Sequence, residues 1–335
     1  PGLAGPPGPI RFDRLSLEQG LSQSAVMRIL QDSRGYIWLT TEDGLDRYDG
    51  IAVKVYRHDP SDDASLPASF VWDIDEDAAG DLWIATTSGL AKWQRTTDRM
   101  IRQESLAGRH IRALRYAPGA NALWIGTRDA GVFRLDVATG QTTRFSHDPT
   151  RPSSLVDDRI YAFTLDQQGR LWVGTDGGLD RLDPTASGFV HFGSDPADPR
   201  SLSDAKVLAI LEDDSGTLWV GTAAGGLNRL DPGRKGFERY RHQPESPTSL
   251  ANDTVRAILQ DADGRLWVGT YQGLDLFDPV HGTFAHYRQD PKDAASLADD
   301  HVLSLAQDRG GVLWVGTRLG GAHKWNPLSW QFGLV

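Results

Sequence analysis

Short apolar runs separated by polar turn residues succeed one another along the whole chain. The sixth such unit is the clearest: Val255–Gln260 reads as a strand, Asp261-Ala262-Asp263-Gly264 as a turn and residues 265–270 as a second strand, with third and fourth strands at 274–277 and 284–287. β-Branched and aromatic side chains fill the runs, while Asp and Gly take the positions that need an Asx bond or a positive φ. Runs such as Val207-Leu208-Ala209-Ile210-Leu211 are apolar without alternation, which implies strands covered on both faces.

The units repeat. Nearly the same phrase, Leu-Trp-Val-Gly-Thr followed by Gly-Leu, is anchored by Trp38, Trp83, Trp124, Trp172, Trp219, Trp267 and Trp314, which are 45, 41, 48, 47, 48 and 47 residues apart. That is the length of one four-stranded sheet with its turns. The predicted fold is therefore all-β, a single seven-bladed β-propeller of four-stranded antiparallel blades over residues 10–335, preceded by a tail at 1–9. An open ring would leave two unpaired sheet edges, so a strand from the opposite terminus must complete one blade. Two segments compete, Ile10-Arg11-Phe12-Asp13-Arg14-Leu15 and residues 330–335. The first is favoured, because it precedes Gly20-Leu21-Ser22-Gln23 and a strand, the layout of a fourth strand plus connector.

Within each unit the first turn recurs. An Asp lies six residues before the Trp at Asp32, Asp77, Asp166, Asp213, Asp261 and Asp308, and a Gly three before it at Gly35, Gly80, Gly169, Gly216, Gly264 and Gly311. Asp-x-Asp-Gly at Asp261 could begin a calcium loop, but the downstream acid such a loop needs is missing; a hairpin turn is the reading taken. The third unit has Pro118-Gly119-Ala120-Asn121 instead. A second signature runs from Arg57-His58-Asp59-Pro60 to Ser65-Leu66 and again at 147–155, 195–202, 242–250 and 290–297. Pro ends the outer strand and Leu turns inward as a plug. His58, His147 and His242 fall once per blade in these connectors, too far apart around a ring to share a metal. The third unit lacks this connector.

Composition narrows the function. The chain has 335 residues, 36 Gly, 18 Pro and a formal charge of −10, which disfavours the basic stripe that nucleic acid requires. With no cysteine, disulfide scaffolds and thiolate chemistry are excluded. No apolar run is long enough to span a bilayer, and no leader precedes the first unit. The opening Pro-Gly-Leu-Ala-Gly-Pro-Pro, without Met, reads as the trimmed end of a longer protein, with any membrane attachment in regions beyond it.

The seven tryptophans are expected to be core spacers. Each buries about 150–250 Å², worth very roughly 4–6 kcal/mol gross at about 25 cal/mol per Å². Positions that differ from blade to blade are better candidates for a site. Residues just before each first strand (Phe70, His110, Arg159, Lys206, Thr254, His301) and between second and third strands (Glu42, Arg128, Asp176, Tyr271, Arg318) should emerge around one mouth of the central channel. Their cations, acids and aromatics suit a polar ligand, and Arg159, Lys206, Tyr271, His301 and Arg318 are the expected contacts. No catalytic motif is found; no cofactor or metal is expected.

Leu-Trp-Val-Gly-Thr-Asp-Gly-Gly-Leu-Asp-Arg-Leu-Asp at 171–183, together with Asp-Pro-x-x-x-x-Ser-Leu at 195–202, resembles the two-component regulator propeller repeat, and the resemblance covers essentially the whole chain. Thr40 and Ala85 depart from it at the motif Gly. The resemblance implies the periplasmic sensor of a bacterial hybrid histidine kinase or diguanylate cyclase, in which two propellers are often followed by a β-sandwich, a membrane helix and an output module. It implies a non-enzymatic region that binds a small polar ligand such as an oligosaccharide, within a receptor expected to be a homodimer. Antibiotic lyases share such rings, so a propeller lyase or hydrolase is the enzyme alternative, and a protein-interaction platform the third.

Overall fold

The structure, a computed structural model, describes residues 10–183, 188–233 and 236–328. They form seven separate four-stranded antiparallel sheets. The first blade is Val26–Gln31, Ile37–Thr41, Gly44–Tyr48 and Val53–Tyr56, running from the channel outward. The first strands of the next five blades are Val71–Glu76, Ile111–Ala117, Ile160–Leu165, Val207–Glu212 and Val255–Gln260. Among the described residues the helical elements are three single 3₁₀ turns, and no helix is long and apolar enough to cross a membrane.

The seventh blade contains Val302–Gln307, Leu313–Thr317 and Ala322–Trp325, and its outer strand is Asp13–Leu15 from the other end of the chain. Asp13 pairs with Lys324, Arg14 with His323 and Leu15 with Ala322. Phe12 N–H adds a bond to Ala295 C=O at 2.7 Å, and Arg14 Nε one to Gly320 C=O at 2.7 Å. The expected N-terminal closure is therefore what the ring uses. The competing segment 330–335 and the tail at 1–9 lie outside the described residues.

The tryptophans are spacers between blades. All seven are at most 7% exposed, and each reaches toward the third strand of the next blade: Trp38 meets Trp93 at 4.9 Å, Trp219 meets Phe277 at 5.3 Å, Trp267 meets Trp325 at 5.8 Å, and Trp314 meets Tyr48 of the first blade at 6.1 Å. The motif Arg lies opposite the Trp in the neighbouring strand, so Arg181 sits 5.3 Å over Trp172 and Arg229 5.7 Å over Trp219. The motif Gly answers to blade spacing: a Cβ at Gly174 would come within 2.7 Å of Val207 Cγ1, and one at Gly221 within 2.6 Å of Val255 Cγ1.

The recurring Asp does more than close a turn. Asp32 Oδ1 accepts from Arg34 and Tyr36 N–H, and its Oδ2 accepts from the Trp38 indole at 2.9 Å. The same Asp-to-indole bond recurs in blades two, four, five, six and seven at 2.7–3.1 Å. Asp261 has both oxygens taken by Asp263 N–H, Arg265 and Trp267, the hairpin role expected of it. The connector leucines Leu66, Leu155, Leu202, Leu250 and Leu297 are buried. His58, His147 and His242 hold them by Nδ1 against the Leu66, Leu155 and Leu250 carbonyls at 2.6–2.9 Å. Ahead of the third blade, where the signature is missing, the short turn Glu104–Leu106 supplies a buried Leu106 in its place.

Candidate functional site

Every first strand carries a bulge at the same point. Pairing with the second strand skips Met27, Trp72, Arg112, Tyr161, Leu208, Arg256 and Leu303 in turn. An unpaired bulge residue is re-aimed out of the ladder, and all seven line one cavity of about 420 Å³ at the centre of the ring. The preceding Val or Ile of each strand is fully buried between blades. Each blade thus turns its bulge residue toward the channel, and these residues vary where the Val or Ile before them does not.

The two predicted loop sets lie together above this ring. In six blades the N–H of the residue after the second strand donates to the C=O of the residue before the first: Thr87 to Phe70, Arg128 to His110, Asp176 to Arg159, Ala223 to Lys206, Tyr271 to Thr254 and Arg318 to His301, at 2.9–3.3 Å. The five expected contacts fall into two groups. Tyr271 and Arg318 line the cavity, and His301 packs edge-on against Tyr271 at 5.1 Å between ring centres. Arg159 and Lys206 instead converge on Asp176 at 2.6 and 3.2 Å, and Arg159 also pairs with Asp157 at 2.9 Å. Their charges are already engaged on the rim, although Lys206 reaches the face of Tyr161 at 4.7 Å.

Sequence reasoning missed the deeper layer. Trp72 stacks on Phe70 at 4.7 Å and lies 5.7 Å from His110. Arg112 sits between Trp72 and Tyr161, at 5.5 and 4.9 Å from their ring centres, and Tyr161 Oη bonds Asp176 at 3.2 Å. Five arginines and two acids line the cavity. Arg28 faces Asp73 at 3.4 Å, and burial pushes the Asp73 carboxyl up to about 6 against that pull. Arg112 and Arg256 have no hydrogen bond or ion pair among the described residues, and their Nε atoms are buried. The one signal that could have marked them was variability at the second position of each first strand, which reads Met, Trp, Arg, Tyr, Leu, Arg, Leu.

Six segments match the two-component regulator propeller family: residues 20–43, 65–88, 154–177, 201–224, 249–272 and 296–318. The blade without a match is the third, which lacks both the Asp turn and the connector. Histidine kinase P4 of Formosa agariphila is 49% identical over 47 residues, 14% of this chain and 3% of that protein. Among solved structures, the extracellular domain of the hybrid two-component system BT3049 from B. thetaiotaomicron superposes with a TM-score of 0.80 at 25% identity, covering 95% of this chain and 42% of that one. Virginiamycin B lyase from Staphylococcus aureus, at 13% identity and a TM-score of 0.67 over 95% of this chain and 99% of its own, shares the fold. The chain thus spans about two-fifths of the hybrid two-component domain that it resembles, and 3% of the histidine kinase.

Proposed function

Because the chain belongs to the two-component regulator propeller family, we propose that it is the ligand-sensing part of a transmembrane signalling protein, lying in the periplasm and binding a small polar ligand, an oligosaccharide in particular, without turning it over. The similarity to an extracellular domain of a hybrid two-component system supports the sensor role. The observation that carries the site is the convergence of one bulge residue per blade on a single cavity beneath a rim containing Tyr271, His301 and Arg318. Aromatic faces beside hydrogen-bonding groups in a concave, partly dry site are what hold a sugar. The lyase reading has a shared fold in its favour and no more. Calorimetric screening of soluble oligosaccharides against the domain tests the proposal, with Tyr271→Ala plus Arg318→Ala expected to weaken a hit at least tenfold while the circular dichroism spectrum stays that of the parent. Binding untouched by that pair, or chromatographic recovery of an altered ligand, would overturn it.

A further inference from the structure

Part of the channel's deep layer presents donors that have no acceptor beside them. Arg112, Arg256 and Trp72 line the cavity, and their Nε or Nε1 atoms are buried without a hydrogen-bond partner among the described residues. Trp Nε1 and every guanidinium nitrogen donate only, so these groups do not satisfy one another. A guanidinium partly withdrawn from water with no counter-charge beside it destabilises a fold. Two of them facing one cavity raise the cost by mutual repulsion, in a molecule whose formal charge of −10 shows no general shortage of acids. Arg28, by contrast, has Asp73 beside it. Burial, with Arg112 adding to it, holds the Arg256 guanidinium below its ordinary pKa.

We propose that Arg112 and Arg256 form an oxyanion-binding pair, taking the carboxylate or sulfate group of an acidic sugar that enters the channel with its ring against Tyr271. The inference rests on the channel being the ligand site. Planar guanidinium forks match carboxylate and sulfate oxygens in pairs. Trp72 and Tyr161 hold the Arg112 guanidinium between their rings. A cavity of about 420 Å³ admits a sugar of one or two rings rather than a polymer along its length.

The test is thermal shift and calorimetry on the domain with digalacturonate, lactose and inorganic sulfate. Digalacturonate should bind and raise Tm, lactose should bind at least tenfold more weakly, and Arg112→Gln and Arg256→Gln should each weaken digalacturonate at least tenfold. Tyr271→Ala should weaken digalacturonate but leave a sulfate-induced Tm shift intact. If sulfate instead equals digalacturonate in affinity and the arginine variants abolish both, the oxyanion site stands with a free anion as its source. Arg256→Met, which removes the charge and keeps much of the volume, should raise Tm without ligand and eliminate the response to digalacturonate. Lactose binding as tightly as digalacturonate, no response to any anionic probe, or a fall of several degrees in Tm for ligand-free Arg256→Met overturns the pair. Digalacturonate binding that is sensitive to Tyr271→Ala but not to Arg256→Gln overturns this inference alone; insensitivity to both also removes the channel as the site.

Discussion

Breaking the Asp-to-indole bond in one blade, with the third blade as an internal control, isolates what the repeat gains from it. Trp38 is fully buried and donates to Asp32 Oδ2 at 2.9 Å; Trp124 is nearly as buried but has no such partner among the described residues, because its blade turns through Pro118–Ala120 instead. Trp→Phe at either position deletes similar apolar surface. Only Trp38→Phe leaves a buried carboxylate oxygen without its donor, and a hydrogen bond to a charged group is worth about 1.5–3 kcal/mol. Trp38→Phe should therefore cost about 1.5–3 kcal/mol more than Trp124→Phe, or about 3–6 °C in Tm at about 2 °C per kcal/mol for a larger domain. Asp32→Asn must turn its NH₂ either toward the indole N–H or toward the N–H groups of Arg34 and Tyr36, so it should cost about as much. A double-mutant cycle by urea denaturation should return a coupling of about 1.5–3 kcal/mol between Asp32 and Trp38. Equal costs for Trp38→Phe and Trp124→Phe, or a coupling below about 0.5 kcal/mol, would refute the argument.

Deleting residues 1–16 should leave the Ala322–Trp325 edge unpaired and produce aggregation or a marked fall in Tm; light scattering unchanged from the parent would show that closure does not depend on that strand. Trp219→Ala should cost about 3–5 kcal/mol in urea denaturation, and a change below about 1 kcal/mol would mean the spacer role is wrong. His323 is buried, its Nε2 accepts from Ala298 N–H at 2.9 Å, and burial lowers its pKa to about 4. The neutral ring therefore contributes stability that is complete above about pH 6.5 and is lost as pH falls through 4, up to about 3 kcal/mol. Asp46 and Asp73, pushed up to about 6 by burial, act in the opposite direction, because protonating them over pH 6 to 4 relieves the folded state. His323→Asn borrows the Asn228 solution of the fifth blade, where Oδ1 accepts from Ser203 N–H at 2.9 Å. It should flatten the acid limb of a Tm-versus-pH curve, and an unchanged limb would exonerate His323.

The pattern of residues was enough for the architecture because propeller blades are local. Each unit of about 47 residues supplies its own four strands, and turns such as Asp261-Ala262-Asp263-Gly264 set hairpin register within a dozen residues. Rim positions were legible for the same reason: Tyr271 and Arg318 stand at fixed offsets from Trp267 and Trp314, where a repeated frame changes its residue. Other features depended on contacts that sequence spacing does not encode. The indole bond of Trp38 to Asp32 crosses a hairpin and needs the folded turn to aim it. The engagement of Arg159 and Lys206 by Asp176 joins neighbouring blades. Arg112 and Arg256, 144 residues apart by number, look like ordinary polar residues in a strand. A one-residue bulge turns each into the channel, and closure of the ring by Asp13–Leu15 makes seven such positions converge on one cavity. Local chemistry determines a blade; only closing the ring places guanidinium groups from separate blades around the same cavity.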